Sequence, residues 1–114
     1  MAPNEYQQMA LRTEPEWIKK AGMMTRLEQG VLGLTGESGE CADMVKKLIF
    51  QGHGLDKEHF AKELGDVSWY LAVSADAIGY TLEDIFEMNA AKLKARYPDG
   101  FDVDKSLHRA EGDV

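Results

Sequence analysis

The sequence predicts an all-α fold of the four-helix-bundle type, and three observations predict it. Apolar residues recur at spacings of three and four over long stretches, and segment starts carry side chains able to accept the first free backbone amides of a helix. Alternation of period two is nowhere sustained, so no half-buried strand is expected.

Taken in order, helices are expected at about 4–12, 25–50, 57–78 and 82–97, with a short turn at about 14–21. Thr13-x-x-Glu16, with Pro15 early in the first turn, fits a capping box ahead of the short turn, and Thr25-x-x-Glu28 fits one ahead of the second helix. Asp56 and Thr81 precede the third and fourth helices as caps, while Gly52-His53-Gly54 and Gly79 read as helix exits. After Pro98-Asp99-Gly100 the chain turns polar and is expected to be irregular. Residues 1–101 are accordingly expected to form one helical domain and 102–114 a polar C-terminal tail.

Composition narrows the function. The 114 residues suit one domain, and 13 Lys+Arg against 20 Asp+Glu leave a formal charge of −7. Coating a nucleic-acid backbone is therefore not expected of this surface, although an acidic protein can still hold phosphates through a bound cation. Cys41 is the single cysteine, which rules out an intramolecular disulfide and fits a reducing, cytoplasmic setting. Neither a signal peptide nor a membrane span is expected, since the longest apolar stretch, Trp69 to Tyr80, is broken by Ser74 and Asp76.

The placement of acids is the informative anomaly. In the second helix Leu34, Cys41, Val45 and Leu48 share an apolar face, and Glu37, Glu40, Met44 and Lys47 lie on the adjoining one. In the third, Phe60, Leu64, Val67, Leu71 and Ile78 form the stripe, with Glu63, Asp66 and Tyr70 beside it. Solvated charges belong on the far face, where Glu28, Lys46 and Asp76 fall. Gly30, Gly33, Gly36 and Gly39 add to the anomaly, because a glycine inside a helix costs about 1 kcal/mol relative to alanine. Close helix approach or a frayed helix start on one hand, and backbone access for a ligand near Glu37 and Glu40 on the other, are equally good reasons for them.

Residues three apart on a helix are neighbours, so Glu37-x-x-Glu40 and Glu63-x-x-Asp66 each project two carboxylates to one side. Antiparallel packing of the two helices would gather all four, and such a cluster repels itself unless it is protonated or bridged by a cation. Neither motif contains histidine, so the donors are all oxygen and suit a hard ion, Mg²⁺ or Mn²⁺. A single pair of this kind is commonly just solvated. Two pairs beside the apolar stripes on consecutive helices bring a shared metal site level with that bland alternative.

The run Gly33-Leu34-Thr35-Gly36-Glu37-Ser38-Gly39-Glu40, then Lys46-Lys47, then Lys62-Glu63-Leu64-Gly65-Asp66-Val67-Ser68-Trp69-Tyr70, closely resembles the MazG-like nucleoside triphosphate pyrophosphohydrolases. Asn89-x-x-Lys92-Leu93 followed by Arg96-Tyr97-Pro98-Asp99-Gly100-Phe101 matches as well, so the resemblance spans most of the chain between Gly30 and Phe101. It implies an all-α bundle, completed by oligomerisation as a homodimer or dimer of dimers, that hydrolyses a nucleoside triphosphate to its monophosphate and pyrophosphate with Mg²⁺. Carried over by position, Glu37, Glu40, Glu63 and Asp66 match the family's metal-binding carboxylates. Lys47, Asn89, Lys92, Arg96 and Tyr97 match positions that contact the triphosphate and nucleotide. Tyr6-Gln7 and Arg12-Thr13 carry a weaker likeness to a segment near the base.

Such chemistry is physically coherent. A triphosphate is repelled by bare carboxylates, so a cation must stand between them, and either Glu37 or Glu40 is expected to position or deprotonate the attacking water. On the fourth helix Asn89, Lys92 and Arg96 share one face by the i, i+3, i+7 rule, and a solvated basic helix end is the plain alternative for them. Two other functions compete: a phosphoribosyl-ATP pyrophosphohydrolase, related in fold and acid pattern, and a helical module that binds nucleotide without turnover. His53, His59 and His108 are not spaced as a metal site and read as surface or helix-start residues. Trp17 and Trp69 fit packing better than base stacking.

Overall fold

A computed structural model describes all 114 residues and is helical throughout. The elements are α1 (Pro3–Leu11), α2 (Glu16–Ala21), α3 (Met23–Phe50), α4 (Lys57–Ala77), α5 (Leu82–Arg96) and α6 (Val103–Leu107). They fall into two compact units, Met1–Leu82 and Glu83–Val114. No helix is long and apolar enough to cross a membrane.

Asp56 caps α4 as expected, its side chain accepting the His59 amide. The two threonine capping boxes do not form. Pro15 is the N-cap of α2, while Thr13 Oγ1 donates to the Ala10 carbonyl at 2.7 Å and accepts from Trp69 Nε1 at 2.7 Å. Gly22 is the N-cap of α3, at φ 96°, so α2 and α3 are separated by one residue in a conformation that favours glycine, and Thr25 lies inside the helix.

In the first unit α3 packs along α4, α1 lies on α4 and α2 on α3. The α3–α4 seam runs through small residues. A Cβ added to Gly30 would stand 2.0 Å from Ser74 Oγ, and one on Gly33 would stand 2.0 Å from the Tyr70 ring, whereas Gly36 and Gly39 face open space. Close approach thus accounts for the first two glycines. The contacts pair Gly30 with Ser74 and Gly33 with Tyr70, which fixes an antiparallel register.

This seam corrects the expected core. The two long helices meet on the sides that bear the acids, and the bulkier stripe beside that seam is only partly covered: Leu34, Cys41, Phe60 and Val67 are half-buried, while Val45, Leu48, Leu64, Leu71 and Ile78 are exposed. The buried side chains are instead Ala10, Ile18, Ala72, Val73, Ala75 and Leu82, with Gln7 and Glu14 among them.

Polar groups close the gaps in this thin core. Gln7 Nε2 donates to the Ala72 and Tyr80 carbonyls at 3.1 and 3.2 Å, and its Oε1 accepts the Leu82 amide at 3.1 Å. Glu14, fully enclosed, accepts from Arg26 Nε and from Gln29 Nε2, both at 3.1 Å. Arg26 Nη2 reaches Asp76 at 2.7 Å, so Asp76 belongs to this network and not to a solvated far face. The ion pairs with Glu14 and Asp76 hold the Arg26 guanidinium above its ordinary pKa against the effect of burial.

In the second unit the turn after α5 is closed by the Gly100 amide donating to the Tyr97 carbonyl at 3.2 Å. The polar segment beyond is not wholly irregular. Asp102 caps the five-residue α6 by accepting the Lys105 amide, and the chain then returns so that Asp113 meets Arg96.

Candidate metal centre

Following the α3–α4 register onward from Gly33 and Tyr70 brings the acids together. Glu37, Glu63 and Asp66 each place a carboxylate oxygen so that all three lie within 4.8 Å of one another. The same periodicity that aligns the glycines with Ser74 and Tyr70 therefore aligns the carboxylates, because residues one helical turn apart stay on one side. Glu40 follows on α3, exposed, outside this closest group yet near enough to act on the charge of Glu37.

Crowding is visible in the titration of Glu37. Its carboxyl is raised above the ordinary range, chiefly by a hydrogen bond to Glu63, then by desolvation and by the charges of Glu63, Asp66 and Glu40. A cation held by these oxygens would reverse that logic. The donor set is all carboxylate oxygen, drawn from two facing helices and only partly enclosed, which suits a hard divalent ion with several remaining water ligands.

The surroundings are ordered by short-range contacts. His59 Nε2 stands 3.1 Å from Glu63 Oε1, and Asp56 fixes the turn that carries His59 by capping it. His59 is thus a helix-start residue as expected, but it also touches one of the clustered acids. Beside the cluster a cleft of about 380 Å³ is lined by Thr13, Glu37, Asp66, Trp69 and Tyr70. Trp69 and Tyr70 meet edge to face at 4.9 Å between ring centroids, and Thr13 holds the Trp69 indole from the α1–α2 connection. Trp69 therefore packs and lines the cleft at once.

Tyr6 lies over this end of α4, its hydroxyl donating to the Gly65 carbonyl at 3.5 Å. Burial, and then the Asp66 charge, raise its pKa. Of the N-terminal residues singled out from sequence, Thr13 lines the cleft and Gln7 is a buried clamp.

Lys47 is committed to its own helix, with Nζ 2.7 Å from Asp43 Oδ2, while Lys46 takes the other oxygen at 2.8 Å. Hydrogen bonds from the two lysines hold the Asp43 carboxyl down to about 2. Lys47 in turn titrates above its ordinary value, through Asp43 first and with a smaller contribution from Glu40. Asp43 was not apparent as a site-shaping residue, although its i+3 and i+4 spacing to the lysines is the readable signal.

Asn89, Lys92, Arg96 and Tyr97 belong to the second unit. Asn89 and Lys92 are exposed on α5. Arg96 lies over the Tyr97 ring, 5.9 Å from its centroid, and Tyr97 packs on Phe101. The Arg96 guanidinium is held in two places by Asp113, at 2.6 and 2.8 Å, a partner that lies beyond the stretch bearing the resemblance.

Comparison with known proteins agrees with the direction of these observations. A Mycobacterium phage L5 protein, named only "Gene 37 protein", is 36% identical over 69 residues, which cover 57% of this chain and 60% of the relative. The alignment thus spans about three fifths of that protein's length. No solved structure matches the chain. The family described as the MazG nucleotide pyrophosphohydrolase domain matches residues 26–101, from the Arg26 anchor through the acid-bearing helices to Phe101. A helical chain with facing acid motifs and that match belongs to the MazG nucleotide pyrophosphohydrolase family.

Proposed function

We propose that this protein hydrolyses a nucleoside triphosphate, ribo or deoxyribo, to the monophosphate and pyrophosphate, with Mg²⁺ as the cation and Mn²⁺ as a substitute. The observation that carries the reading is the meeting of Glu37, Glu63 and Asp66 across the α3–α4 seam, in a chain of this family. Glu37, Glu40, Glu63 and Asp66 would hold the ion, which when bound supplies positive charge to phosphate oxygens and makes water more acidic. Glu37 or Glu40 then takes the role of aligning the attacking water and accepting its proton, as a carboxylate beside the ion can.

Lys47, Asn89, Lys92, Arg96 and Tyr97 are assigned to the phosphates and nucleotide. Cations there offset the charge that builds on the departing pyrophosphate. In this reading residues 1–101 carry the domain, residues 102–114 follow it, and clearing modified nucleotides or controlling a nucleotide pool is the natural use. The open stripe on α3 and α4 supports pairing of chains as a homodimer or dimer of dimers.

Product analysis tests the reaction. Purified protein is incubated with a panel of standard and modified NTPs and dNTPs, with Mg²⁺ and then with chelator. Monophosphate and pyrophosphate, lost on chelation, are expected. Diphosphate and phosphate would contradict attack at the α-phosphorus, and turnover confined to phosphoribosyl-ATP would move the assignment to that substrate. In the same assay Glu37→Gln and Asp66→Asn should each lower turnover by about 100-fold or more, because each removes a charged oxygen from the ion.

A further inference from the structure

At the end of α5 the second unit forms an open cavity of about 640 Å³, and its charge runs against that of the whole chain. Lys92 and Arg96 line it from α5, Lys105 and Arg109 from the segment beyond, and the acids on its wall are Glu111 and Asp113. Asp113 grips the Arg96 guanidinium through both oxygens, with the two side chains only 15% and 10% exposed. A planar guanidinium takes a carboxylate and a phosphate through the same pair of donors. The remaining cations, Lys105 and Arg109 above all, have no carboxylate of comparable closeness on this wall, and Arg109 and Lys92 act on Asp113 through their charge.

We propose that this cavity is a binding site for a di- or triphosphate anion, built jointly by α5 and residues 102–114, in which Asp113 stands on Arg96 where a phosphate binds. Binding exchanges one bidentate partner of Arg96 for another: the anion takes the guanidinium, and the released Asp113 turns to solvent. Lys105 and Arg109 then act as phosphate ligands that lie outside the stretch matching the family. The inference rests on the proposed phosphate role of Arg96. It adds that the polar segment after α5 is part of the site and sets its affinity.

The test is titration calorimetry in excess chelator, which takes the carboxylate cluster out of the measurement. The ligands are inorganic pyrophosphate and, separately, an α,β-imido nucleoside triphosphate. Asp113→Asn should bind about fivefold more tightly than the parent, the scale of one partly exposed ion pair, while Asp113→Glu should bind like the parent. Arg109→Ala should bind about fivefold more weakly on the same scale. A gain with both ligands marks the substrate's phosphates, and a gain with pyrophosphate alone marks a product site. Asp113→Asn binding neither ligand more tightly, in protein whose helical circular dichroism is unchanged, would overturn the proposal. So would unaltered binding in Arg109→Ala. Arg96→Ala separates the two levels: weaker binding with no gain from adding Asp113→Asn is expected, and undiminished binding would remove Arg96 from the phosphate site. The metal-dependent turnover of the carboxylate cluster is measured independently and stands or falls by its own assay.

Discussion

Glu14 and Glu37 show how differently two carboxylates can be treated by one small chain. Glu14 is sealed from solvent and answered by Arg26 and Gln29, so its charge is spent on holding the α1–α2 connection to α3. Removing one partner of such a pair leaves a buried charge uncompensated. Arg26→Met should cost about 3–5 kcal/mol in urea unfolding, and adding Glu14→Leu should recover most of it, because the stranded carboxylate is then gone. Glu37 is the opposite case, an acid pressed against other acids. With its pKa raised in the folded state above the ordinary 4.5, the native chain holds more proton than the unfolded one in the window above that value. Stability from this group is therefore present at low pH and lost as pH rises through the folded pKa. In chelator, thermal melts should show this falling limb, and Glu37→Gln should flatten it; a limb unchanged in the variant would mean that another group is responsible. Residue identity gave advance notice of the second acid but not of the first. Two acid pairs at i, i+3 are written locally, whereas Glu14 and its partners are joined only by folding, as are Arg96 and Asp113.

At the scale of elements, the seam between α3 and α4 decides both stability and site. The spacing of apolar residues correctly located both helices but did not single out the side on which they meet, because periodicity weighs bulk and this seam is made of small residues. Gly30 and Gly33 were the available signal, and only Ser74 and Tyr70 across the seam distinguish them from Gly36 and Gly39. That distinction has a measurable consequence. Gly36→Ala and Gly39→Ala should be neutral or stabilising by up to about 1 kcal/mol, the ordinary helix propensity difference. Gly30→Ala should destabilise by about 1–3 kcal/mol, since its methyl would collide with Ser74 Oγ in a packed seam. Ser74 Oγ is itself buried without a hydrogen-bond partner, so Ser74→Ala should be stabilising or neutral. The double variant Gly30→Ala/Ser74→Ala should then recover much of the loss. Additive costs in that double-mutant cycle would show that the two residues do not meet. The cluster is tied to the same register, so a variant that shifts the seam should weaken metal binding even where no carboxylate has changed.

At the scale of the whole molecule, the long helices carry apolar surface that the first unit itself leaves exposed. Val45 and Leu48 on α3 and Leu64, Leu71 and Ile78 on α4 are all exposed, and they are the stripe that periodicity marked as a core. Within the first unit that stripe is only partly covered, so a further apolar surface is expected against it. A second copy provides one naturally, since stable homodimers commonly bury about 1,200–2,000 Å² and a self-complementary stripe meets itself across a two-fold axis. Sedimentation equilibrium should give twice or four times the chain mass, and melting temperature should rise with protein concentration, as it must when association is linked to folding. Leu71→Glu should lower the assembly towards the single chain, because it places a charge in an apolar contact. Lys62→Ala, on the exposed face of α4 opposite the stripe, should leave assembly intact. A parent protein that sediments as one chain, with a melting temperature independent of concentration, would mean that the stripe remains open in solution and that the pairing part of the functional reading is wrong. A chain that pairs in the parent but not in Leu71→Glu would locate the missing half of the core on the face that the sequence marked from the start.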